Sequence, residues 1–316
     1  MTNLNINAMP AKTWHWLAVN DAKIKWDSNS EEIYADELIV VSENNKEEIW
    51  VEDIATQKEY NSKKVKIEVK ENSEVTVIAN HDVDNNLRAF LDIDISKNAK
   101  VKLVQLLASE DKSLYNEVKV SCRENSNFEL VQAFIGKNPD AGKEYGKIYS
   151  NVTVDLNEDK ADFKYDMGYF GQGDNLLDYN LVVNHFGKNT NCDIKVNGAL
   201  KDKSQKVFRG TIDFKKGASG SVGAENETVL MLGEDVVNKT VPVILCSEEE
   251  VSGTHGASIG ELDEETLFYF ESRGIDKETA ENIMARASIE RLVGLMDNIK
   301  EKELIENTLQ EVLGDA

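Results

Sequence analysis

The stretch VKIEVKENSEVTV, Val65 to Val77, decides the reading of this chain. Val65, Ile67 and Val69 alternate with Lys66 and Glu68, the chain breaks at Glu71-Asn72-Ser73-Glu74, and Val75 and Val77 resume the alternation. Strict period two marks a strand with one buried face. Asn and Ser at the break tolerate the dihedrals of a tight turn. The same figure returns three times. Leu91, Ile93 and Ile95 precede a break at Lys97-Asn98, then Val101 and Leu103. Val118 and Val120 precede Glu124-Asn125-Ser126, then Phe128 and Leu130. Val152, Val154 and Leu156 precede Asn157-Glu158-Asp159, then Ala161, Phe163 and Tyr165.

Successive breaks lie roughly 26 to 33 residues apart, a spacing typical of repeat architectures. Two short strands cannot bury an apolar face alone, whereas stacked units share a continuous core. The expected fold is therefore mainly β: a right-handed parallel β-helix over residues 35–260. A β-sandwich, which also has short strands and regular turns, is the competing arrangement. Residues 1–34, with the aromatic run Pro10 to Leu17 including Trp14 and Trp16, are expected to cap the end of the coil stack. From residue 261 the texture becomes helical. A first helix is expected over Glu261 to Gly274 with Asp263 near its start, a second from an Asp276 N-cap, and a third near residues 300–313. These helices need a surface, either the end of the solenoid or a partner protein.

Composition narrows the function. The chain has 316 residues, 58 acids against 36 bases and a formal net charge of −22. Such a field repels nucleic acid and anionic membranes. No apolar run reaches the roughly 20 residues of a membrane span, and the N-terminus lacks the order of a signal peptide, so a cytoplasmic protein is expected. Three scattered cysteines, Cys122, Cys192 and Cys246, form neither a disulfide framework nor a closed zinc site. No phosphate-binding loop, nucleophile elbow or zincin helix occurs, and abundant acids make any single carboxylate pair uninformative. A non-catalytic protein is expected.

Candidate ligands are few. His255 stands among Gly253, Thr254, Gly256 and Ala257, small neighbours that let a ligand or another backbone approach. It reads either as a ligand for iron or zinc or as a turn residue capping the helix behind it. Cys246 has the apolar neighbours Val243, Ile244 and Leu245, which suggest a buried strand thiol. Cys192, in Asn189-Thr190-Asn191-Cys192-Asp193, is expected to be an exposed, inert turn thiol, with His185 seven residues earlier.

The run Val251 to Gly260, then Leu262-Asp263-Glu264-Glu265 and Leu267 to Ile275, resembles the C-terminal signature of the SufB/SufD family, scaffold subunits of iron–sulfur cluster assembly. Val207-Phe208-Arg209-Gly210, Gly217-Ala218, Asn226 and Pro242 fall in the family's order, and Thr13-Trp14 to Asn20 resembles the start of short SufD-like chains. The resemblance covers about residues 180–290 well. It implies a parallel β-helix with a C-terminal helical segment. It also implies pairing through the core with a SufB-like paralogue or with a second copy. The C-terminal helices would dock a SufC-like ABC ATPase, with Asp263, Glu264, Phe268, Tyr269 and Arg273 as candidate contacts. By the same resemblance His255 matches the histidine that SufD-type subunits place at the interface, and the iron–sulfur cluster is held only transiently. On the residues alone, Cys246, nine positions before His255, and Cys192 are weaker candidate ligands. The SufB-type cysteine has no counterpart near Asn226 or Glu227, and Gly256 stands where the SufB type has Glu. These departures make the chain SufD-like. A β-helix lyase or hydrolase acting on an acidic polysaccharide is the remote rival.

Overall fold

The structure, a computed structural model, describes every residue except Trp14, residues 53–57, Asn298 and residues 315–316; the side chains of Tyr34, Ala35 and Glu52 are likewise outside it. An antiparallel pair, β1 (Thr2–Ile6) and β2 (Ala22–Trp26), brackets a 3-10 turn at His15–Leu17. Among the described residues sixteen strands follow, most of them ten residues long. The odd-numbered ones are β3 (Glu32–Val41), β5 (Tyr60–Val69), β7 (Asn86–Ile95), β9 (Ser113–Cys122), β11 (Lys147–Leu156), β13 (Leu176–His185), β15 (Gln205–Phe214) and β17 (Val237–Cys246). The even-numbered ones are β4 (Lys46–Glu52), β6 (Glu74–Val83), β8 (Lys100–Ser109), β10 (Asn127–Gly136), β12 (Asp162–Gly171), β14 (Asn191–Lys201), β16 (Val222–Leu232) and β18 (Ser252–Glu261). Among the described residues three α-helices come last: α1 (Glu264–Ser272), α2 (Lys277–Glu290) and α3 (Ile299–Leu313).

Odd strands form one eight-stranded sheet and even strands the other, each strand parallel to its neighbours. The chain thus changes sheet at every turn, and eight two-strand coils stack into a β-solenoid about 34 Å long at about 4.8 Å per coil. Its cross-section has the two facing sheets of a sandwich. The parallel ladders distinguish it, because a sandwich is built from antiparallel neighbours.

The asparagines of the breaks explain the turns. Asn44, Asn72, Asn98, Asn125 and Asn189 have φ between 54° and 59°, and Lys160 and Gly220 take the same turn position at 61° and 78°. This left-handed region is costly for most residues and tolerated by Asn and Gly. Stacking also joins the side chains. Asn98 Nδ2 donates to Asn72 Oδ1 at 3.0 Å, and Asn125 Nδ2 donates to Asn98 Oδ1 at 2.8 Å.

Both flanks of the solenoid are partly covered. Helices α2 and α3 lie along the outer face of the even sheet. Their Ala285, Ile289, Ile305 and Leu309 bury against outward-facing Val104, Leu106, Val131 and Phe170. Gly168 has no Cβ where Leu292 and Ile289 press in; one there would stand 2.9 Å from the Leu292 side chain. The cover explains why the ends of β8 and β10 are apolar at consecutive positions and hide the alternation. The helices therefore find their surface on the solenoid's flank rather than at its end.

The N-terminal segment lies along the opposite flank, and this differs from the expected end cap. Ile6, Ile24 and Trp26 bury against outward Tyr60, Tyr115 and Tyr149 of the odd sheet. Arg209 fixes the segment further on. Its guanidinium takes both oxygens of Asp178 at 2.6 and 3.1 Å, its Nε donates to the Val19 carbonyl and Nη2 to that of Asp21. Asn7 Nδ2 adds a 2.6 Å bond to Asp178. Trp14 lies outside the described residues.

Arg209 and Asp178 are both buried, so removing one partner strands the other charge. Arg209→Ala is expected to cost about 3–5 kcal/mol and to release amide protection in residues 7–21, read by urea denaturation with hydrogen exchange. An unchanged midpoint would refute the clamp.

Candidate functional site

The stack has to stop, and it stops with nothing above it among the described residues. β17 pairs only with β15, and β18 only with β16. Each edge strand presents unpaired backbone N–H and C=O groups on its free side. All ten residues of β18 are exposed. Pro242, which has no N–H to offer a ladder, sits on the β17 edge, where proline is tolerated.

Register fixes where His255 points. In β16, Gly223, Glu225, Glu227 and Val229 are buried and alternate with exposed Val222, Asn226 and Thr228. Parallel pairing sets Gly253 over Gly223, His255 over Glu225 and Ala257 over Glu227. These residues therefore share the inward columns of the solenoid. A Cβ on Gly253 would lie 3.0 Å from Phe214 and 3.2 Å from Ile244, which agrees with an inward position. His255 is thus neither a turn residue nor a helix cap. It stands in the open mouth of the core, on the last rung. The cap of the following helix is Asp263, whose side chain accepts from the Thr266 N–H at 2.7 Å.

The two cysteines trade places relative to their sequence reading. Cys246 ends the edge strand β17 and is exposed, its thiol donating to the Glu248 carbonyl at 3.0 Å. It is also on an inward column, above Phe214. Its apolar neighbours line an edge strand with no further coil to cover its end. Cys192 is buried inside β14, 3.4 Å from His185 Nε2, while His185 Nδ1 meets Thr190 Oγ1 at 2.7 Å. Burial pushes the Cys192 thiol well up and holds His185 down at about 4. Both shifts favour the uncharged forms, the thiol and the neutral imidazole, and a protonated thiol is a poor nucleophile. Cys122, also buried, is pushed up to about 12.

The fold does not gather these ligands. Gly253 faces Ile244, so His255 and Cys246 lie about four residues apart along the strand direction, about 13 Å, and on sheets about 10 Å apart. Among the described residues no group of three or more His, Cys, Asp or Glu side chains is placed to hold a metal.

Directly beneath the mouth lies a charged cluster that the sequence reading missed. Lys206 of β15 is fully buried. Its ammonium lies against the Glu227 carboxyl and donates to Thr240 Oγ1 of the terminal coil at 3.2 Å. The ring of Tyr169 stands 5.5 Å from it. Glu225 packs on Gly210, where a Cβ would stand within 1.9 Å of its Oε2. Burial raises Glu225 to about 8, with the neighbouring Glu227 adding to the rise and Lys206 opposing it. Burial drives Lys206 the other way, downward. Period-two counting through Ala224-Glu225-Asn226-Glu227-Thr228 would have put both acids inside. The same counting separates inward Glu227 from outward Asn226, the two positions compared with the SufB-type cysteine.

The remaining candidates sit on α1. Glu264 is an acid of its first turn and Asp263 its cap. Phe268 and Tyr269 are 70% and 55% exposed, and Arg273 lies 5.0 Å over the Tyr269 ring. No residue of α1 is buried, whereas α2 is committed to the solenoid through Ala285 and Ile289.

A family model described as the SUF system FeS cluster assembly SufBD core domain matches residues 51–288. An iron–sulfur cluster assembly protein SufD of Bacillus subtilis is 34% identical over 114 residues, 36% of this chain and 26% of that protein. A SufBD family protein of Staphylococcus saprophyticus is 26% identical over 204 residues, 64% of this chain and 42% of that protein. A counterpart in Staphylococcus aureus is 25% identical over the same length. The matched stretches span less than half the length of these relatives.

Glu225 makes the core sensitive to pH. Unfolded, its carboxyl loses a proton near 4.5; folded, near 8. The folded chain holds the extra proton between those values, so this group's contribution to stability falls as pH rises through that window. Glu225→Gln is expected to raise the urea midpoint at the upper end of the window and to change it little at the lower end. A mutant-to-wild-type difference independent of pH would refute the assignment.

Proposed function

The chain belongs to the SufBD family of SUF-system iron–sulfur cluster assembly, and from that premise we propose that it is a scaffold subunit which completes a cluster site only when a partner closes its open end. One observation carries the reading: His255 is the terminal inward rung of a solenoid whose last coil is uncovered. A single imidazole cannot hold a cluster that ordinarily takes several thiolates. It can supply one ligand while a SufB-like paralogue, docked edge to edge on β17 and β18, supplies the sulfurs. The cluster is cargo here, built at the junction and passed on. Cytoplasmic assembly suits this chemistry, and no helix among the described residues is long and apolar enough to cross a membrane. The family match runs against the polysaccharide-enzyme reading.

A SufC-like ATPase docks on α1 in this reading. The helix is held to the body by its ends: Leu262 leads into it from β18, and α2 follows on the flank. Force applied to α1 therefore reaches the edge strand that carries His255, because packed elements move as units. Removing residues 263–316 would be a poor test, since it would also strip α2 and α3 and uncover Val104, Val131 and Phe170.

Two point variants test the two surfaces in the complex co-expressed with its ATPase and paralogue. His255 is exposed on an edge strand, so His255→Ala is expected to change stability by no more than about 0.5 kcal/mol. It should lower the iron and sulfide content of the purified complex several-fold, and wild-type content would sink the ligand role. Exposed aromatic anchors dominate such interfaces, so Phe268→Ala with Tyr269→Ala should weaken ATPase capture by about tenfold or more. Undiminished capture would move the dock elsewhere.

A further inference from the structure

The terminal coil is bounded by two corners, and both are acidic. Between Gly233 and Asp263 the chain carries six carboxylates and one lysine. Glu234 and Asp235 occupy the turn from β16 to β17, and Glu261 at the end of β18 borders the same cleft as Glu234. Glu248, Glu249 and Glu250 form the turn from β17 to β18. The second corner is held in place by the coil beneath. Glu248 Oε2 accepts from the Gly217 N–H at 2.9 Å, and Glu250 Oε2 accepts from Ser219 Oγ at 2.6 Å. Lys216 faces Glu248 from that coil. Of the other nearby cations, Lys215 is on Asp213 at 2.5 Å. Lys201 and Lys277 both lie near Glu281, at 3.6 and 3.7 Å, and Lys277 borders the same cleft as Glu234 and Glu261. Lys203 stands in the turn of the preceding coil, between β14 and β15.

We propose that these acidic corners exclude a second copy of this chain from the open end and select a partner solenoid whose corners are basic. The proposal rests on the reading that the terminal coil is a pairing surface. A closed pair of identical chains is related by a two-fold axis. For two solenoids meeting mouth to mouth, that axis lies in the plane of the mouth, along the strands or across them. Along the strands, β17 meets the partner's β18 and each corner meets its own copy. Across the strands, β17 meets β17 and each corner meets the opposite one. Both arrangements bring carboxylates onto carboxylates, because both corners carry the same sign. No symmetric docking relieves the repulsion. A partner with lysine or arginine at its two turns converts both contacts into attraction and gains association rate as well.

The test uses a copy of the chain as its own basic-cornered partner. Glu234→Lys, Asp235→Lys, Glu249→Lys and Glu250→Lys reverse both corners and leave the strands intact. At low salt, in sedimentation equilibrium, wild type and reversed copy are each expected to be monomeric. Their mixture should form a one-to-one pair at least about tenfold tighter than either self-pair, weakened by salt and lost on Ile259→Asp. Wild type that self-pairs as tightly as it pairs with the reversed copy would overturn the proposal and leave the pairing surface standing. No association in any mixture would remove the pairing surface and the proposal together. If the reversed copy does not fold, the neutral set Glu234→Gln, Asp235→Asn, Glu249→Gln and Glu250→Gln decides instead. It should self-pair about tenfold more tightly than wild type, and wild-type self-affinity in that set would overturn the proposal.

Discussion

A strand in a parallel stack satisfies its backbone on both sides only while the stack continues. That constraint organises this molecule. Inside the stack, each ladder position is set by the coils above and below, so side chains line up in columns. Val77, Leu103, Leu130, Tyr165, Ile194 and Glu225 make one such column, and His255 is its last member. At the last coil the support ends. Twenty residues of strand are left with one neighbour each, and the inward columns open to the outside. The same geometry that builds a rigid core therefore also exposes a row of core positions at its end, where chemistry can be placed without a pocket.

The flanks show a second consequence. Sheets with both faces solvated outside the core would keep their alternation throughout. Here the even sheet is covered by α2 and α3, and the odd sheet by the N-terminal strap. Covered segments lose polar outward positions: the end of β10 is buried at Val131, Ala133 and Ile135 as well as at its inward residues. Each cover is pinned by a few polar contacts beneath apolar contact. Arg291 on Asp166 holds the helical side at 2.6 Å, and Arg209 on Asp178 holds the strap at the same distance. Specific ion pairs register the covers, and hydrophobic contact supplies the adhesion.

This division decides what could be read in the sequence. The solenoid was legible because period-two alternation and left-handed asparagine turns are local signals, and Asp263 and Asp276 announced their helices for the same reason. The placing of the covers was not legible, since an amphipathic helix or hairpin says that it needs a surface without saying which. Residue environment failed in the same way for the thiols. Cys192 lies close behind a polar turn yet its register turns it inward. Cys246 has apolar neighbours yet belongs to the rung that nothing covers. His255 was found by its resemblance to a family signature; its inward direction required the pairing with Glu225. Lys206, Glu225 and Glu227 were hidden among many acids, because only register distinguishes a charge in the core from one on the surface.

An uncovered edge is an aggregation hazard, and proteins commonly protect edges with charged or proline residues within the strand. β17 carries Lys239 and Pro242, but β18 reads Ser-Gly-Thr-His-Gly-Ala-Ser-Ile-Gly-Glu, with no charge before its final residue. The protection has moved to the corners, where the carboxylates stand. The displacement matters physically. A charge within β18 would oppose every strand that approached, whereas a charge at a turn opposes only an approaching surface of the same sign. Ladder groups on the strand remain available, and the decision about what may use them passes to long-range electrostatics. Such discrimination acts before backbone contact is made, which is what an edge needs if it must stay open for one partner and closed to its own copies.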